Sequence, residues 1–429
     1  MRLKKLVVKN FKSLRDCEVE LNKFNVLIGP NASGKTNLVE VFKLLRKIYV
    51  EGDENPFLEW WGYNNVVWAG KEELPITVGM LFDVDGYDVY FETTFTGTGG
   101  SFRILKEVLE VKGYLTLEKK GPSVHLKYSE RFYWATKEVP GLINNLFIPP
   151  EPELMLEAPG SSSLLGLLSP EKPEEAFFLE VLGKLFGALP LIKTRHAYKK
   201  EIFVVSPKIG EDLVISRFVK GFLLLVSSPL LRQLNIRGAK NPQYPRKETT
   251  LNEDASNLVP LLYNIWLREG RLPDEIAKPL SMVFPNTRVF FQLTEDGRVM
   301  MKVFENNLEL APPSISDGFY KVLAILTAAY LKPPLLIIDE IENSLHPETL
   351  GLIIDTLKES ESQVIITTHS PVVVDIVEPS ELVLVDKEKG ETIFKRIKNP
   401  EKIKKFLNEK GITLSEGWLY GSLVENDEQ

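Results

Sequence analysis

Short apolar runs and stretches of strict alternation divide this chain of 429 residues into two kinds of segment. Three runs, residues 24–28, 335–338 and 364–367, are mostly or wholly apolar, and a polar cluster follows each of them. Such continuous runs are typical of buried parallel strands, whose ligands lie at the carboxyl ends. The pattern therefore predicts an α/β domain with a parallel sheet.

Between the first and second runs the pattern changes to period two. Val78, Met80 and Phe82 alternate with other residues, then residues 85–86 (Asp-Gly) provide a turn signal, and alternation resumes at Tyr87. This is the signature of a β-hairpin, and similar alternation continues beyond it. We expect an antiparallel meander here. The middle of the chain is less regular, with helical spacing over residues 174–189 and 213–234.

The polar cluster after the first apolar run is Gly-Pro-Asn-Ala-Ser-Gly-Lys-Thr, residues 29–36, and a helical pattern follows it. Strand, glycine-rich loop and helix are the context of a phosphate-binding P-loop. Gly29 and Gly34 let backbone N–H groups point at phosphate oxygens, while the helix N-terminus and Lys35 add positive charge. Thr36 offers a hydroxyl to Mg²⁺. An ordinary glycine-rich turn is the alternative, and the flanking strand and helix argue against it.

Two further clusters have the chemistry that phosphate transfer requires. Asp339 follows four aliphatic residues and suits a carboxylate that holds the water shell of Mg²⁺. Glu340 next to it suits a base that polarises an attacking water. A lone histidine is more often a core residue, but His369 directly follows a buried strand, so we interpret it as a γ-phosphate sensor.

Composition restricts the function without specifying it. Hydrophobic residues make up 44% and charged residues 26% of the chain, as in ordinary soluble globular proteins. The net charge of −7 argues against a surface covered with nucleic-acid-binding lysines, although a local basic patch is compatible with it. Cys17 is the single cysteine, so an internal disulfide is excluded. No signal-peptide pattern or membrane span is visible, and we expect a cytoplasmic protein.

Together these motifs resemble the ABC-type AAA ATPase heads of the RecF/SMC/OLD group, most closely the compact stand-alone prokaryotic members without a coiled coil or Toprim domain. The similarity covers residues 1–115 and 230–425. The matching segments are Asn-Phe-Lys-Ser at residues 10–13, the P-loop with Asn37, Ser-Asp-Gly at 316–318, Glu-Asn-Ser-Leu-His-Pro at 342–347, and Thr-Thr-His-Ser-Pro at 367–371. Residues 254–258 and 418–421 also fit this compact group.

The resemblance implies ATP and Mg²⁺ as cofactors and a homodimer that sandwiches ATP. The signature segment, residues 316–318, of one copy would bind the γ-phosphate held by the other copy's P-loop; a plain helix N-cap is the alternative for Ser316. By family likeness Thr36 and Asp339 bind the metal, and Glu340, His369 and Lys35 act in catalysis. The expected nucleotide contacts are Lys12, Ser13, Gly29, Asn31, Ala32, Ser33, Gly34, Lys35, Thr36, Asn37, Ser316, Asp317 and Gly318.

The sequence departs from the family in three places. Ile315 stands where the signature has leucine, and Ile341 stands where proline commonly follows the catalytic glutamate. The family's Q-loop glutamine has no clear equivalent, since Gln233 and Gln243 come late in the chain.

We therefore expect an α/β P-loop NTPase fold, ABC-ATPase-like, with an antiparallel β subdomain and a mostly helical insertion. An N-terminal lobe over residues 1–115 contains the P-loop (Walker A) and the β subdomain. Residues 116–230 form the insertion. A C-terminal lobe over residues 231–429 contains the signature, the Walker B pair, the D-loop and the switch histidine, and the two lobes form one ATPase head.

The predicted function is an ATPase that dimerises on ATP as a conformational switch, in DNA maintenance, repair or anti-phage defence, with an effector protein encoded elsewhere. The alternative is a nucleotide-gated scaffold or toxin-system component in which ATP binding, not turnover, is the signal. A weaker hypothesis, direct DNA binding, rests on a basic N-terminal group: Arg2, Lys4, Lys5, Lys9, Lys12 and Arg15. No membrane partner is expected.

Overall fold

The computed structural model describes residues 1–129, 153–157, 163–168, 214–421 and 423. Contacts divide the chain into two compact units. Unit 1 comprises Met1–Leu21 and Glu40–Ser227, and unit 2 comprises Asn22–Val39 and Ser228–Gln429. The predicted helix over residues 174–189 lies outside the described residues.

Strands and helices are numbered in chain order. The described strands are β1 (Arg2–Phe11), β2 (Leu14–Glu20), β3 (Phe24–Ile28), β4 (Ile76–Val84), β5 (Tyr87–Thr96), β6 (Arg103–Val111), β7 (Leu115–Lys120), β8 (Ser123–Tyr128), β9 (Glu153–Glu157), β10 (Leu230–Leu231), β11 (Thr287–Leu293), β12 (Val299–Glu305), β13 (Leu308–Leu310), β14 (Leu335–Ile338), β15 (Gln363–Thr368), β16 (Leu382–Glu388) and β17 (Glu391–Arg396). The described α-helices are α1 (Lys35–Arg46), α2 (Leu164–Leu167), α3 (Val214–Val226), α4 (Ile236–Lys240), α5 (Leu258–Glu269), α6 (Asp274–Val283), α7 (Asp317–Tyr330), α8 (Pro347–Glu359), α9 (Pro371–Ile376), α10 (Pro400–Lys410) and α11 (Leu414–Leu419).

Unit 1 is built on an antiparallel sheet with the strand order β2-β1-β4-β5-β6-β7-β8-β9. Its alternating residues bury one face: Val89, Phe91 and Phe95 of β5 are fully buried, and the residues between them are mostly half-buried. Asp85 and Gly86 join β4 to β5 with φ angles of 53° and 90°, as a two-residue hairpin turn of this kind requires. The predicted hairpin is confirmed.

The antiparallel sheet extends past residue 115, into the mixed, mostly helical insertion that the sequence predicted for residues 116–230. β7 starts at Leu115, and Leu117, Val124 and Leu126 are buried as well. The period-two pattern thus continues through β7 and β8, and it indicates strands there despite the irregular composition that follows.

The predicted helix over residues 213–234 is shorter in the structure. α3 ends at Val226, and residues 230–231 form a parallel strand, β10, instead. Pro229 has no amide hydrogen and disfavours the helical conformation for the residue before it, so two serines and this proline end the helix. The apolar spacing alone did not reveal this break.

A buried polar cluster anchors β6 within unit 1. Glu107 is fully buried; one carboxylate oxygen accepts a hydrogen bond from the Tyr49 hydroxyl (2.7 Å) and the other from the Leu164 amide (2.6 Å). Burial raises the pKa of Glu107, and these hydrogen bonds and nearby Lys119 oppose that shift. Each carboxylate oxygen therefore has a donor, as buried polar groups require.

Unit 2 contains a six-stranded sheet with the order β10-β14-β15-β3-β16-β17. The first five strands are parallel neighbours, and β16 and β17 form the predicted antiparallel hairpin. Every residue of β3, β14 and β15 is buried, as expected for parallel strands covered on both faces. The predicted α/β fold, with a parallel sheet and an antiparallel β subdomain, is confirmed.

A small meander, β11-β12-β13, and the helices of unit 2 complete its core. Residues 319–328 of α7 are all buried, so this helix is enclosed on every side. The Ser316 side chain caps its N-terminus by accepting a hydrogen bond from the Phe319 amide. Among the helices in the described ranges, none has the length and apolar content that a membrane crossing requires.

Candidate functional site

Three polar clusters meet at one edge of the parallel sheet in unit 2. β15 lies between β14 and β3, and its register pairs Ile366 with Ile338 on one side and Thr368 with Ile28 on the other. Parallel strands that end level with each other present their following residues at the same edge. The structure therefore brings the P-loop, the Asp339 pair and His369 together, as the sequence predicted.

Glycine is required at two positions of the P-loop for different reasons. Gly34 has a φ of 109°, which a residue with a side chain rarely adopts. Gly29 has an ordinary φ, but a Cβ atom there would lie 2.0 Å from the Val385 carbonyl oxygen. Ala32 also has a positive φ, 62°, so the loop backbone is tightly curled before α1 begins at Lys35.

Lys35 is buried within this loop. Its Nζ donates to the carbonyl oxygens of Gly29 (2.7 Å) and Pro30 (2.9 Å). Burial lowers the pKa of Lys35, and the charges of Asp339, Glu342 and Glu340 oppose that shift. Two neutral acceptors thus hold the lysine over the loop. An anionic ligand can replace them, because its hydrogen bonds with the ammonium are charge-assisted and therefore stronger.

The loop fits a polyphosphate. The Ser33 hydroxyl is buried and has no hydrogen-bond partner among the described residues. An unpaired buried hydroxyl is costly, and a phosphate oxygen would satisfy it. α1, at twelve residues, is long enough to add a helix dipole at this point. Asn31 is exposed and Asn37 is half-buried beside it.

The side chain of Asp339 is buried next to the P-loop. Its carboxylate accepts a hydrogen bond from the Thr367 hydroxyl and lies 3.4 Å from Nε of Arg232. Burial raises the pKa of Asp339, although Thr367 and Arg232 oppose the shift. A cavity lies at this edge of the sheet, and Thr36 and Asp339 are among the residues that line it. One hydroxyl and one carboxylate suit Mg²⁺, which keeps several waters and phosphate oxygens as ligands.

This arrangement differs from a dedicated metal cage. Within the described ranges, no group of three or more His, Cys, Asp or Glu side chains is placed to hold a metal ion. A metal at Asp339 would therefore depend on the ligands that a bound nucleotide supplies.

Glu340 has a strained backbone and an exposed side chain. Its φ is 51°, a left-handed conformation that costs a non-glycine residue roughly 1–2 kcal/mol. Four hydrogen bonds hold it. Its amide donates to Thr367 Oγ1 (2.9 Å), and its carboxylate accepts from the Asn343 side chain (2.7 Å). Its carbonyl accepts from Lys321 Nζ (2.9 Å) and from the Asn343 amide (3.2 Å). Backbone strain of this kind clusters at functional sites.

Lys321 of α7 is a second buried lysine at the site, and the sequence did not single it out. Its side chain faces the charges of Asp339, Glu340 and Glu342, and burial lowers the pKa of its ammonium to about 8 despite them. It lines the cavity together with Thr36 and Asp339.

His369 is paired with Glu342, another residue that the sequence did not predict as a site residue. His369 Nδ1 lies 3.0 Å from Glu342 Oε1, and the His369 amide donates to the same oxygen (2.8 Å). The pair fixes the ring so that Nδ1 donates its hydrogen and Nε2 is left for a ligand. The other carboxylate oxygen of Glu342 is buried without a hydrogen-bond partner among the described residues.

Gln233, one of the two late glutamines considered for the Q-loop, lies at the cavity. Gln233 follows the short edge strand β10, has a φ of 44°, and lines the cavity with Thr36 and Asp339. The amide of Asn235 donates to the Asp254 carbonyl (2.7 Å), which explains the presence of the 254–258 motif near this loop. The sequence signal for the strand before this loop was the apolar pair Leu230 and Leu231, but both residues lie within the segment predicted as a helix, residues 213–234.

The signature residues do not join this cavity. Ser316 and Asp317 are exposed, Gly318 is half-buried, and none of the three is among the described residues that line the cavity. Asp317 pairs with Lys240 at 2.9 Å. A Cβ atom on Gly318 would lie 2.7 Å from the Ser344 carbonyl oxygen, so this position packs directly on the segment that follows Glu340.

Lys12 and Ser13 lie in unit 1, and their predicted nucleotide contacts stay a prediction. Lys12 has a φ of 50°, forms an ion pair with Glu40, and places Nζ 5.5 Å from the centre of the Trp60 ring. Ser13 is buried. The ammonium of Lys12 is thus held by an acid and an aromatic ring within its own unit.

The basic N-terminal group is largely neutralised. Lys4 pairs with Asp88, Lys5 with Glu18 and Lys9 with Asp16. Cross-strand pairs of this type lower the positive potential that phosphate contacts need, so they weaken the direct DNA-binding hypothesis.

Comparisons with known proteins agree with this site. A family model described as "AAA ATPase domain" matches residues 1–76, and one described as "AAA domain, putative AbiEii toxin, Type IV TA system" matches residues 211–375. The DNA replication and repair protein RecF of Vibrio campbellii is 44% identical over 46 residues, and RecF of Vibrio parahaemolyticus gives the same figures. That match spans 10% of this chain and only 13% of the length of each RecF.

Solved structures with a similar course of the chain include SMC head domains. The SMC head domain from Thermotoga maritima has a TM-score of 0.41 at 14% identity, covering 93% of this chain and 100% of that one. The Smc head domain with an extended coiled coil from Pyrococcus furiosus, bound to the C-terminal domain of ScpA, has a TM-score of 0.48 at 14% identity, covering 95% and 99%.

The two family matches include all the clusters that meet at the sheet edge. The first contains the P-loop, and the second contains the signature segment, Asp339, Glu340 and His369. By these matches and by its P-loop sheet, the chain has the α/β fold of an AAA-type P-loop ATPase.

Proposed function

We propose that this ABC/SMC-type ATPase binds MgATP at the sheet edge of unit 2, closes into a homodimer on ATP, and opens again after hydrolysis. The observation that supports this most strongly is the convergence of Lys35, Asp339, Glu340 and His369 from three parallel strand ends. Cation, metal-binding carboxylate, base and sensor are the set that phosphoryl transfer to water requires.

Each residue has a distinct role in this proposal. Lys35 and the P-loop amides bind the phosphates, and Thr36, Asp339 and the Gln233 side chain hold Mg²⁺ and its waters. The ion, when bound, neutralises charge that develops on the phosphate oxygens. Glu340 accepts the proton of the attacking water.

His369 and Glu342 form the sensor in the same proposal. Glu342 keeps the Nδ1 hydrogen of His369 engaged, which turns Nε2 toward the γ-phosphate. A hydrogen bond from the His369 ring to a phosphate oxygen is charge-assisted, because the acceptor is an anion.

The position of the signature segment favours a composite site. Ser316 is exposed at the N-terminus of α7, away from the cavity of its own subunit. In a two-fold symmetric dimer the signature of each copy faces the P-loop of the other, so both sites form together. The nucleotide then joins the two subunits, and its hydrolysis releases them.

The descriptions of the relatives suggest where such a switch works. RecF is a DNA replication and repair protein, and one matching family is described as a putative toxin of a toxin–antitoxin system. We propose a role in DNA maintenance or in anti-phage defence, with an effector protein encoded elsewhere.

Glu340→Gln tests the proposal. The amide cannot accept the proton, so turnover should fall by about 10²–10⁴-fold while ATP still binds, and an ATP-dependent dimer should accumulate. Size-exclusion chromatography with light scattering and a phosphate-release assay measure both effects. The control is Glu359→Gln, an exposed glutamate at the end of α8. A Glu340→Gln protein that stays monomeric in ATP and turns over normally would contradict the proposal.

Comparing Glu340→Gln with Lys35→Ala distinguishes the proposed conformational switch from the alternative, a nucleotide-gated scaffold. If Lys35→Ala abolishes the protein's activity in cells while Glu340→Gln retains it, ATP binding rather than turnover is the signal. The proposed switch predicts that both variants are defective.

A further inference from the structure

Lys321 occupies a position that packing alone would give to an apolar residue. It lies in the run of ten consecutive buried residues of α7, and its side chain is only 6% exposed. Its Nζ donates to a peptide carbonyl, that of Glu340. Burying an ammonium is costly, and an apolar side chain of similar volume is usually at least as stabilising at such a site. The lysine therefore needs an explanation other than stability.

The contact is made at a strained peptide of the site. Glu340, the base in the proposed function, has a left-handed backbone, and Thr367 and Lys321 hold its amide and its carbonyl respectively. The direction of the Glu340 side chain depends on this backbone conformation. Without Lys321 the Glu340 carbonyl keeps only the longer hydrogen bond from the Asn343 amide (3.2 Å), so the peptide that follows Glu340 is held less firmly.

The same helix begins with the signature segment. Lys321 lies one turn beyond Ser316, and Gly318 packs on the Ser344 carbonyl with no room for a Cβ atom. The first turns of α7 thus contact the segment from Glu340 to Ser344 at two points, one polar and one steric. A shift of the signature segment would reach the Glu340 peptide through these two contacts.

We propose that Lys321 is a positioning residue for Glu340, and that it makes the orientation of this base depend on the position of the signature helix. The proposal rests on the proposed function, because it takes Glu340 as the base and residues 316–318 as the contact to the partner's nucleotide. In the closed dimer, contact of each copy's signature segment with the other copy's nucleotide would then favour the productive orientation of its own base.

The test uses Lys321→Met and Lys321→Arg in the full chain. Methionine keeps the length and removes the charge, so we expect an unchanged melting temperature and an ATP dissociation constant within about twofold of wild type, because the nucleotide contacts remain. Misplacing a catalytic group by about 1 Å can cost 10²-fold, so kcat should fall by about 10- to 100-fold with little change in KM. Slow turnover should make the ATP-bound dimer accumulate, which a merely destabilised protein would not do. Lys321→Arg should recover part of kcat.

A double variant makes the test specific. If Lys321 acts only through Glu340, then Lys321→Met combined with Glu340→Gln should turn over at the rate of Glu340→Gln alone. Multiplied losses would overturn the proposal, since Lys321 would then act on the nucleotide by itself. The control is Lys332→Met, an exposed lysine just beyond the same helix.

The outcomes distinguish this inference from the proposed function. Normal kcat in Lys321→Met, together with a slow, dimeric Glu340→Gln protein, overturns the inference alone. Normal turnover in Glu340→Gln overturns the proposed function. If Lys321→Met lowers the melting temperature and loses ATP binding, and Lys321→Arg restores the fold without restoring kcat, Lys321 is structural and the inference is wrong.

Discussion

Each unit has a carboxylate with buried oxygen atoms, Glu107 in unit 1 and Glu342 in unit 2, and the two differ in how completely these oxygens are satisfied. In unit 1 both carboxylate oxygens of Glu107 have hydrogen-bond donors. In unit 2 the Glu342 carboxylate and the Ser33 hydroxyl each keep a buried atom without a partner among the described residues. Glu340 and Gln233 next to them have left-handed backbones.

The difference shows that burial of charge does not by itself indicate function. A buried carboxylate whose oxygens are both paired stabilises a sheet, as around Glu107. Unpaired atoms and strained peptides in one place are costly, and natural proteins retain them mainly where a ligand or a reaction uses them. We therefore expect substitutions in the Glu107 cluster of unit 1 to lower stability, and substitutions at the sheet edge of unit 2 to lower turnover.

The largest effect is expected for Asp339→Asn. Losing the metal-binding charge removes several kcal/mol of transition-state stabilisation, so turnover should fall by about 100-fold or more. The melting temperature should not fall, because burial already penalises this carboxylate and asparagine keeps an acceptor for Thr367. Phosphate release and thermal unfolding measure the two. Asp355→Asn, at an exposed position on α8, is the control. A much lower melting temperature for Asp339→Asn would contradict the comparison, because this residue would then stabilise the fold as Glu107 does.

Glu107→Ala should have the opposite profile. The Tyr49 hydroxyl and the Leu164 amide lose their acceptor, and a buried cation nearby loses its counter-charge, so the free energy of unfolding should fall by about 2–4 kcal/mol. Turnover below the melting temperature should stay within about twofold of wild type, because the cluster is not part of the proposed site. Urea unfolding tests the first statement. Glu110→Ala on the same strand is the control, and a large loss of turnover in Glu107→Ala would contradict the comparison.

The smallest effect concerns pH. Burial raises the pKa of Glu107 above its ordinary value of 4.5, so the folded protein holds this proton more tightly than the unfolded chain. The resulting stability is fully present below pH 4.5 and is lost as pH rises through the folded-state pKa. Glu107→Gln removes this dependence, so its free energy of unfolding relative to wild type should increase from acidic to neutral pH. Urea unfolding at several pH values checks the sign, and a relative decrease would contradict it.

Local pattern was sufficient to predict the parallel strands, the P-loop and the residues that directly follow β14 and β15. Gly34, Asp339 and His369 have their signal in adjacent residues, which is why they were identified. Gln233 follows a strand of two residues that only its pairing with β14 defines. Lys321 and Glu342 have functional interpretations only through contacts with residues that are distant in sequence. Tertiary pairing, which the sequence pattern does not show, explains these omissions.

The insertion begins with strands. Alternation at Leu115, Leu117, Val124 and Leu126 was the signal for β7 and β8, which lie at the start of the segment predicted as a mixed, mostly helical insertion. The predicted helix before β10 was too long, because its helical spacing continued past Pro229, whereas the helix ends at Val226.

The central claim is a site shared between two copies, and ATPase activity of mixed variants tests it most directly. Lys35→Ala removes the P-loop lysine, and Ser316→Arg places a bulky side chain on the exposed signature segment. Each variant alone should be inactive. A mixed dimer would contain one site with both defects and one intact site. Chains mixed as monomers should therefore recover up to about a quarter of wild-type activity, since half of the dimers would be mixed and each of these has one site of two with an intact P-loop and an intact signature.

Mixing Lys35→Ala with Glu340→Gln is the matched control. Both residues act in the same half of the site, so no intact site forms and no activity should return. Recovery with Ser316→Arg and none with Glu340→Gln is the result that a shared site predicts. Activity of the first mixture that merely equals the sum of its two inactive components would contradict it.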